Sequence, residues 1–171
     1  MATATINYGT DAAFTQTNLD GIASSATWVA GWTSAAVDNT STKAIDYLLT
    51  GQFQVESSGL SAGVINVYVY ASLNDTPTWP DLFSAGTEGT EGTATLHDTE
   101  IRDTLRLAAS IVTDTTASRN YAFLPVSVAA LFGGVVPPYW AVFVAQSTGT
   151  TLETTGDPNQ LYYAPIKYDI A

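Results

Sequence analysis

The chain has no cysteine, one histidine, and five Lys and Arg residues against sixteen Asp and Glu. Each scarcity removes a class of function. Without Cys there is no disulfide framework, no thiolate nucleophile and no Cys-based zinc site. A single His excludes a His-rich metal centre. Five cations in a chain of net charge −11 are too few to displace the counterions of a phosphate backbone, so nucleic acid is not an expected partner. No apolar run approaches the roughly 20 residues of a membrane helix. The longest candidate, Ala122 to Val136, is broken by Pro125, Ser127, Gly133 and Gly134. The start, Met1-Ala2-Thr3-Ala4-Thr5-Ile6-Asn7-Tyr8, has neither a basic nor an apolar targeting region, so synthesis in a cytoplasm and no membrane association are expected. Charged residues make up 12% of the chain and hydrophobic residues 46%, the balance of a globular domain and not of an acidic disordered tail. A length of 171 residues suits one domain.

Threonine is abundant, at 26 residues. Its branched Cβ suits strands and loops and loses rotamer freedom in helices. Lys, Arg, Glu and Gln, the usual solvent face of helices, are scarce. Pattern agrees with composition. From Tyr47 to Val55 the odd positions are mostly apolar and their neighbours polar, the period-two mark of a half-buried strand. Val64 to Tyr70 is almost continuously apolar, as in a strand covered on both faces. Leu105 to Ile111, Asn120 to Val128, Tyr139 to Ala145 and Leu161 to Ile170 read as further strands, and Ile22 to Val29 as an apolar stretch before a turn at Gly31. Pro165 marks the last strand as an edge strand or interrupts it. Val126 to Phe132 has an alternative reading as one helical turn before Gly133-Gly134. The expected fold is all-β, an antiparallel two-sheet sandwich of jelly-roll-like type with about eight strands. Residues 1–17 read as an N-terminal arm, residues 18–171 as the single domain, and residues 73–99 as one long acidic loop.

Catalytic chemistry is poorly represented. His97 lies beside Asp98, Glu100 and Asp103, but no Gly-x-Ser-x-Gly elbow accompanies it. The acidic cluster lacks the EF-hand spacing, since the sixth position from Asp98 is Asp103 and not Gly. Thr154 to Asn159 reads as a turn without metal. No phosphate-cradling glycine loop occurs. The expectation is a protein that is not an enzyme and carries no cofactor or metal. Of the four tryptophans, Trp28 and Trp140 lie in apolar patterns that predict core positions, whereas Trp79, between Thr78 and Pro80, is expected at the surface. An exposed ring there would anchor a protein interface or stack on a sugar.

Three segments carry a resemblance: Ile6-Asn7-Tyr8-Gly9-Thr10, Tyr68-Val69-Tyr70-Ala71-Ser72-Leu73-Asn74-Asp75-Thr76-Pro77, and Ser127-Val128-Ala129-Ala130-Leu131-Phe132-Gly133-Gly134. With the Thr-rich acidic texture around them, they resemble small virion structural proteins of tailed bacteriophages. The resemblance spans most of the chain as texture and short segments, not as a catalytic signature. It implies a β-sandwich module on the particle, of a kind that includes capsid decoration or cement proteins and some tail components, and a capsid decoration or cement protein is the leading expectation. Its partners would be the major capsid protein or other virion proteins, with self-association as a trimer. The contact residues expected are Trp79, Gly86, Glu88 and Glu91 in the long loop, and Ile6 and Tyr8 in the arm. Deleting residues 86–94 is expected to spare the fold and weaken particle binding. The alternative is a carbohydrate-binding or adsorption module of a phage tail.

Overall fold

The computed structural model describes residues 3–58, 60–74, 76–116 and 118–170. In chain order its strands are β1 (Ala4–Tyr8), β2 (Ala12–Ala13), β3 (Ala30–Thr33), β4 (Val37–Asp38), β5 (Asp46–Phe53), β6 (Gly63–Ser72), β7 (Gly92–Thr95), β8 (Arg106–Thr113), β9 (Tyr121–Ser127), β10 (Tyr139–Gln146) and β11 (Gln160–Ile170). Three short helices, α1 (Asn39–Thr42), α2 (Thr99–Thr104) and α3 (Val128–Leu131), interrupt them. One sheet has the order β1-β11-β5-β9, with β2 also on β11; the other has β7-β3-β10-β6-β8, with β4 on β10. The principal strands pair as one long hairpin folded over: β1 with β11, β3 with β10, β5 with β9, and β6 with β8, all antiparallel. These four pairs alternate between the two sheets, which is the winding of a jelly roll. The expected sandwich is therefore present. Three short strands (β2, β4 and β7) raise the count from about eight to eleven.

Side-chain alternation places the core. Along β5, Tyr47, Leu49, Gly51 and Phe53 are buried while the residues between them are partly exposed. They meet Ile65, Val67 and Val69 of β6 and Trp140, Val142 and Val144 of β10 between the sheets. Because successive strand residues face opposite ways, Tyr68, Tyr70, Ala141, Phe143 and Ala145 point out of the sandwich. They are nonetheless buried, under Leu82, Phe83, Leu96 and Leu105. The six-stranded sheet thus has a second core on its outer face, which explains the continuous apolar run of β6. Each large side chain removed from water there contributes about 1.5–3 kcal/mol.

That cover is built from the stretch expected to be an open loop. Residues 92–95 form β7, paired in register with β3 from Ala30↔Thr95 to Thr33↔Gly92. The apolar residues Leu82, Phe83 and Leu96 are what draw it down, and its Gly-Thr-Glu triplets conceal them in polar sequence. Residues 22–29 are turns and coil, not a strand, and Gly31 lies inside β3 instead of forming a turn. A Cβ on Gly31 would stand 2.0 Å from the Val144 carbonyl oxygen, so only glycine permits this approach of β3 to β10. The helical turn before Gly133-Gly134 is present as α3.

β11 is an interior strand despite Pro165. The Pro165 carbonyl accepts from Gly9 N at 2.8 Å, so its backbone faces the β1 and β2 side. The missing N–H falls in the gap where β1 has ended at Tyr8 and β2 begins at Ala12, so no ladder bond is lost. β8 also departs from a simple alternation. A bulge leaves Ala109 opposite Val67 and Leu107 opposite Tyr68. The extra residue, Ala108, turns Leu107 from the inner to the outer face, where it is half exposed.

Candidate docking surface

The N-terminal arm is structured against its own chain. The β1–β11 register runs Ala4↔Ile170, Thr5↔Asp169, Ile6↔Tyr168, Asn7↔Lys167 and Tyr8↔Ile166. β5 accompanies β11 only as far as the pair Ile166↔Asp46. Beyond that point β1 and the end of β11 form a two-stranded ribbon that extends past the sheet, and every residue of β1 is exposed. Period two divides the ribbon. Thr5, Asn7, Lys167 and Asp169 share a polar face, on which Asn7 Nδ2 donates to Asp169 Oδ2 at 2.6 Å. Ile6, Tyr8 and Tyr168 share the other, at 58%, 67% and 59% exposure. This face carries no ionisable acid or base other than the phenols, in a chain of net charge −11. Among the described residues no strand neighbours the outer edge of β1, which leaves backbone N–H and C=O groups open to another chain. Tyr168 was missed by sequence reasoning. The apolar period of Ile166 and Tyr168 matches that of Ile6 and Tyr8, which marks a shared face once the two ends are paired.

Of the other expected contact residues, Trp79, Glu88 and Glu91 have been brought inward. Trp79 is only partly exposed and meets Tyr70 edge-on with ring centroids 5.3 Å apart. A Cβ on Gly89 would come within 2.7 Å of its ring, so that glycine, at φ +69°, lets the turn lie flat on the indole. Glu88 Oε1 accepts from the backbone N–H groups of both Leu82 and Phe83 at 2.7 Å. Glu91 Oε1 accepts from Trp32 Nε1 at 2.8 Å and from Asn18 N at 2.9 Å, and its Oε2 accepts from Asn18 Nδ2 at 3.0 Å. Gly86, at φ +60°, is an exposed turn residue. Ile6 and Tyr8 are therefore displayed together, whereas Trp79, Glu88 and Glu91 hold the outer cover to the sheet. Deleting residues 86–94 would remove three of the four residues of β7 and both carboxylate anchors, which argues against the expectation that the fold survives it.

The acidic residues near His97 are likewise engaged. His97 Nε2 lies 3.0 Å from Asp81 Oδ1 at the surface. Asp98 caps α2 by accepting from Ile101 N at 2.8 Å, and Glu100 accepts from the Thr99 hydroxyl at 3.0 Å. Asp103 accepts from Arg102 Nε at 2.8 Å. Among the described residues no group of three or more His, Asp or Glu is placed to hold a metal ion, and no helix is long and apolar enough to cross a membrane. Trp140 is fully buried as expected, but Trp28 is only partly buried, on the outer face of the six-stranded sheet. Against protein-family models, curated proteins and solved structures the chain finds no match.

Proposed function

We propose that the protein is a non-enzymatic structural component of a bacteriophage virion, a capsid decoration protein made in the host cytoplasm and assembled on the head surface. The observation that carries this reading is the terminal ribbon, with Ile6, Tyr8 and Tyr168 on one uncharged face and an unpaired edge on β1. An acidic body keeps free subunits apart, and the ribbon is where a neighbour can approach without meeting that charge. Docking adds shell backbone to the β1 edge and covers the apolar face. One face of so short a ribbon offers less than the roughly 800 Å² per partner of a standard interface. Single contacts are weak, and a trimer engaging several major capsid subunits supplies avidity. The jelly roll serves viral shells and lectins alike, so the fold alone does not choose between them.

The test is immunogold microscopy of source virions, followed by rebinding of purified protein to stripped heads. Dense label over heads is expected, and Ile6→Ser/Tyr8→Ser should fail to rebind while melting as the parent does. Absence of label on intact and gently opened particles would sink the proposal. Rebinding unaffected by the double substitution would remove the ribbon from it.

A further inference from the structure

A cleft of about 440 Å³ opens on the outer face of the six-stranded sheet, away from the ribbon, between Trp28, Asn66, Tyr68, Arg102, Asp103 and Leu107. Four features of its walls point to a ligand. Trp28 has φ +54°, in the left-handed region that a bulky side chain seldom adopts. The turn is closed by Trp28 N donating to Ser25 O at 3.0 Å, and the indole is held over the sheet by Nε1 donating to Val64 O at 3.4 Å. Backbone strain of this kind persists where the surroundings impose it, and it gathers at binding sites. The β8 bulge, which brings Leu107 out opposite Tyr68, is a second local irregularity converging on the same cleft.

The third feature is unmet hydrogen bonding. Asn66 Nδ2 donates to the Tyr68 hydroxyl at 3.1 Å. Asn66 Oδ1 is left shielded from solvent without a donor. The Tyr68 proton has no acceptor among the described residues. The Tyr68 hydroxyl can therefore still donate to a ligand at the cleft wall. The fourth is charge. Arg102 spends Nε and Nη2 on Asp103 Oδ1 and Nη1 on the Thr27 carbonyl, and its guanidinium carbon lies 5.9 Å from the centre of the Trp28 ring. The two charges neutralise each other, while Asp103 Oδ2 takes no hydrogen bond among the described residues.

We infer that this cleft is a binding site for a neutral saccharide. A pyranose presents an apolar C–H face and a rim of hydroxyls that both donate and accept. Trp28 and Leu107 suit the first, and the Tyr68 hydroxyl and Asp103 Oδ2 suit the second. The compensated Arg102–Asp103 pair disfavours charged ligands of either sign, since each would meet one like charge. The volume falls in the range of small-ligand sites. The inference stands on residues apart from the ribbon, so it survives or fails independently of the virion reading.

The experiment is saturation-transfer NMR on the full chain, titrated with glucose, galactose, mannose, N-acetylglucosamine and their β-1,4-linked disaccharides. Glucose 6-phosphate and glucosamine serve as charged controls. At least one neutral sugar should receive magnetisation from the protein, bind at millimolar concentration or below, and outcompete the charged controls. Tyr68→Phe, which removes one hydroxyl from the wall, should weaken that binding at least tenfold. Trp28→Gly relieves the positive φ and should also lose binding, with circular dichroism reporting an intact sheet. No transfer to any neutral sugar overturns the inference. So does binding that both variants retain, or a preference for a charged control.

Discussion

Glu91 and Trp32 are 59 residues apart in the chain, yet the Glu91 carboxylate accepts the indole N–H of the fully buried Trp32 at 2.8 Å. The same carboxylate takes the backbone and side-chain N–H groups of Asn18. One acidic side chain in a polar triplet therefore ties the outer cover, the N-terminal segment and the inter-sheet core together. Glu91→Ala should orphan the buried indole donor and cost about 1–3 kcal/mol. Glu91→Gln, which keeps an acceptor oxygen, should lose less. Urea unfolding of the two variants measures the difference, and equal losses would show that the acceptor is not what matters.

Glu88 offers a parallel test at single-residue resolution. Its Oε1 serves the N–H groups of Leu82 and Phe83, whose side chains lie in the outer core. In Glu88→Ala those two amides should exchange with solvent markedly faster, while amides of β5 in the opposite sheet are unchanged. Deleting residues 86–94 should go further and expose Tyr70 and Phe143, detectable as dye binding to apolar surface. A deletion variant with parental exchange and melting behaviour would refute this account of the segment.

Gly31→Ala tests the closeness of β3 and β10. The new methyl would stand 2.0 Å from the Val144 carbonyl oxygen, which is backbone and cannot swing aside. Overpacking of this kind costs about 1–3 kcal/mol. The melting temperature should fall by several degrees, with loss of protection at the Phe143↔Thr33 and Val144↔Trp32 pairs. Parental stability would mean that β3 sits further from β10 than described.

The pH response should come in part from Asp114. The Tyr121 hydroxyl, donating at 2.7 Å, is the main cause that lowers its pKa to about 2 from 3.8; the N–H of Thr116 and the nearby Arg119 add to it. A carboxyl whose folded pKa lies below its unfolded value stabilises the fold above about pH 3.8 and loses that contribution as pH falls through about 2. Tyr121→Phe should move the Asp114 titration, followed by carboxyl-carbon NMR, back towards 3.8 and flatten the stability profile in that acid window. A titration unmoved by the substitution would assign the depression to Thr116 and Arg119.

At the ends of the chain, alternation and pairing divide the information. Ile6 and Tyr8 were expected at a contact surface, and the structure shows both exposed on the ribbon. That they lie beside Tyr168 and Ile166 depends on a pairing of chain ends some 160 residues apart, which no local pattern specifies. Trp28 illustrates the opposite difficulty. Its apolar neighbours predict a core strand, but a positive φ lifts the ring to the outer face, and backbone strain leaves no mark in hydrophobic periodicity.

The sequence by itself determined the all-β class, the two-faced burial of Val64 to Tyr70 and the alternation of Tyr47 to Phe53, and it offered the helical turn before Gly133-Gly134 as one of two readings. These are local consequences of side-chain period, branching and turn chemistry. Tertiary structure decided what the stretch after Ser72 would become, because Leu82, Phe83 and Leu96 are too widely spaced to signal a strand and order only against Tyr70 and Phe143. It also decided that Glu88 and Glu91 would serve as internal acceptors and not as surface charges. A carboxylate has the same sequence signature in either role. Which role it plays depends on which N–H groups the folded chain brings within hydrogen-bond reach.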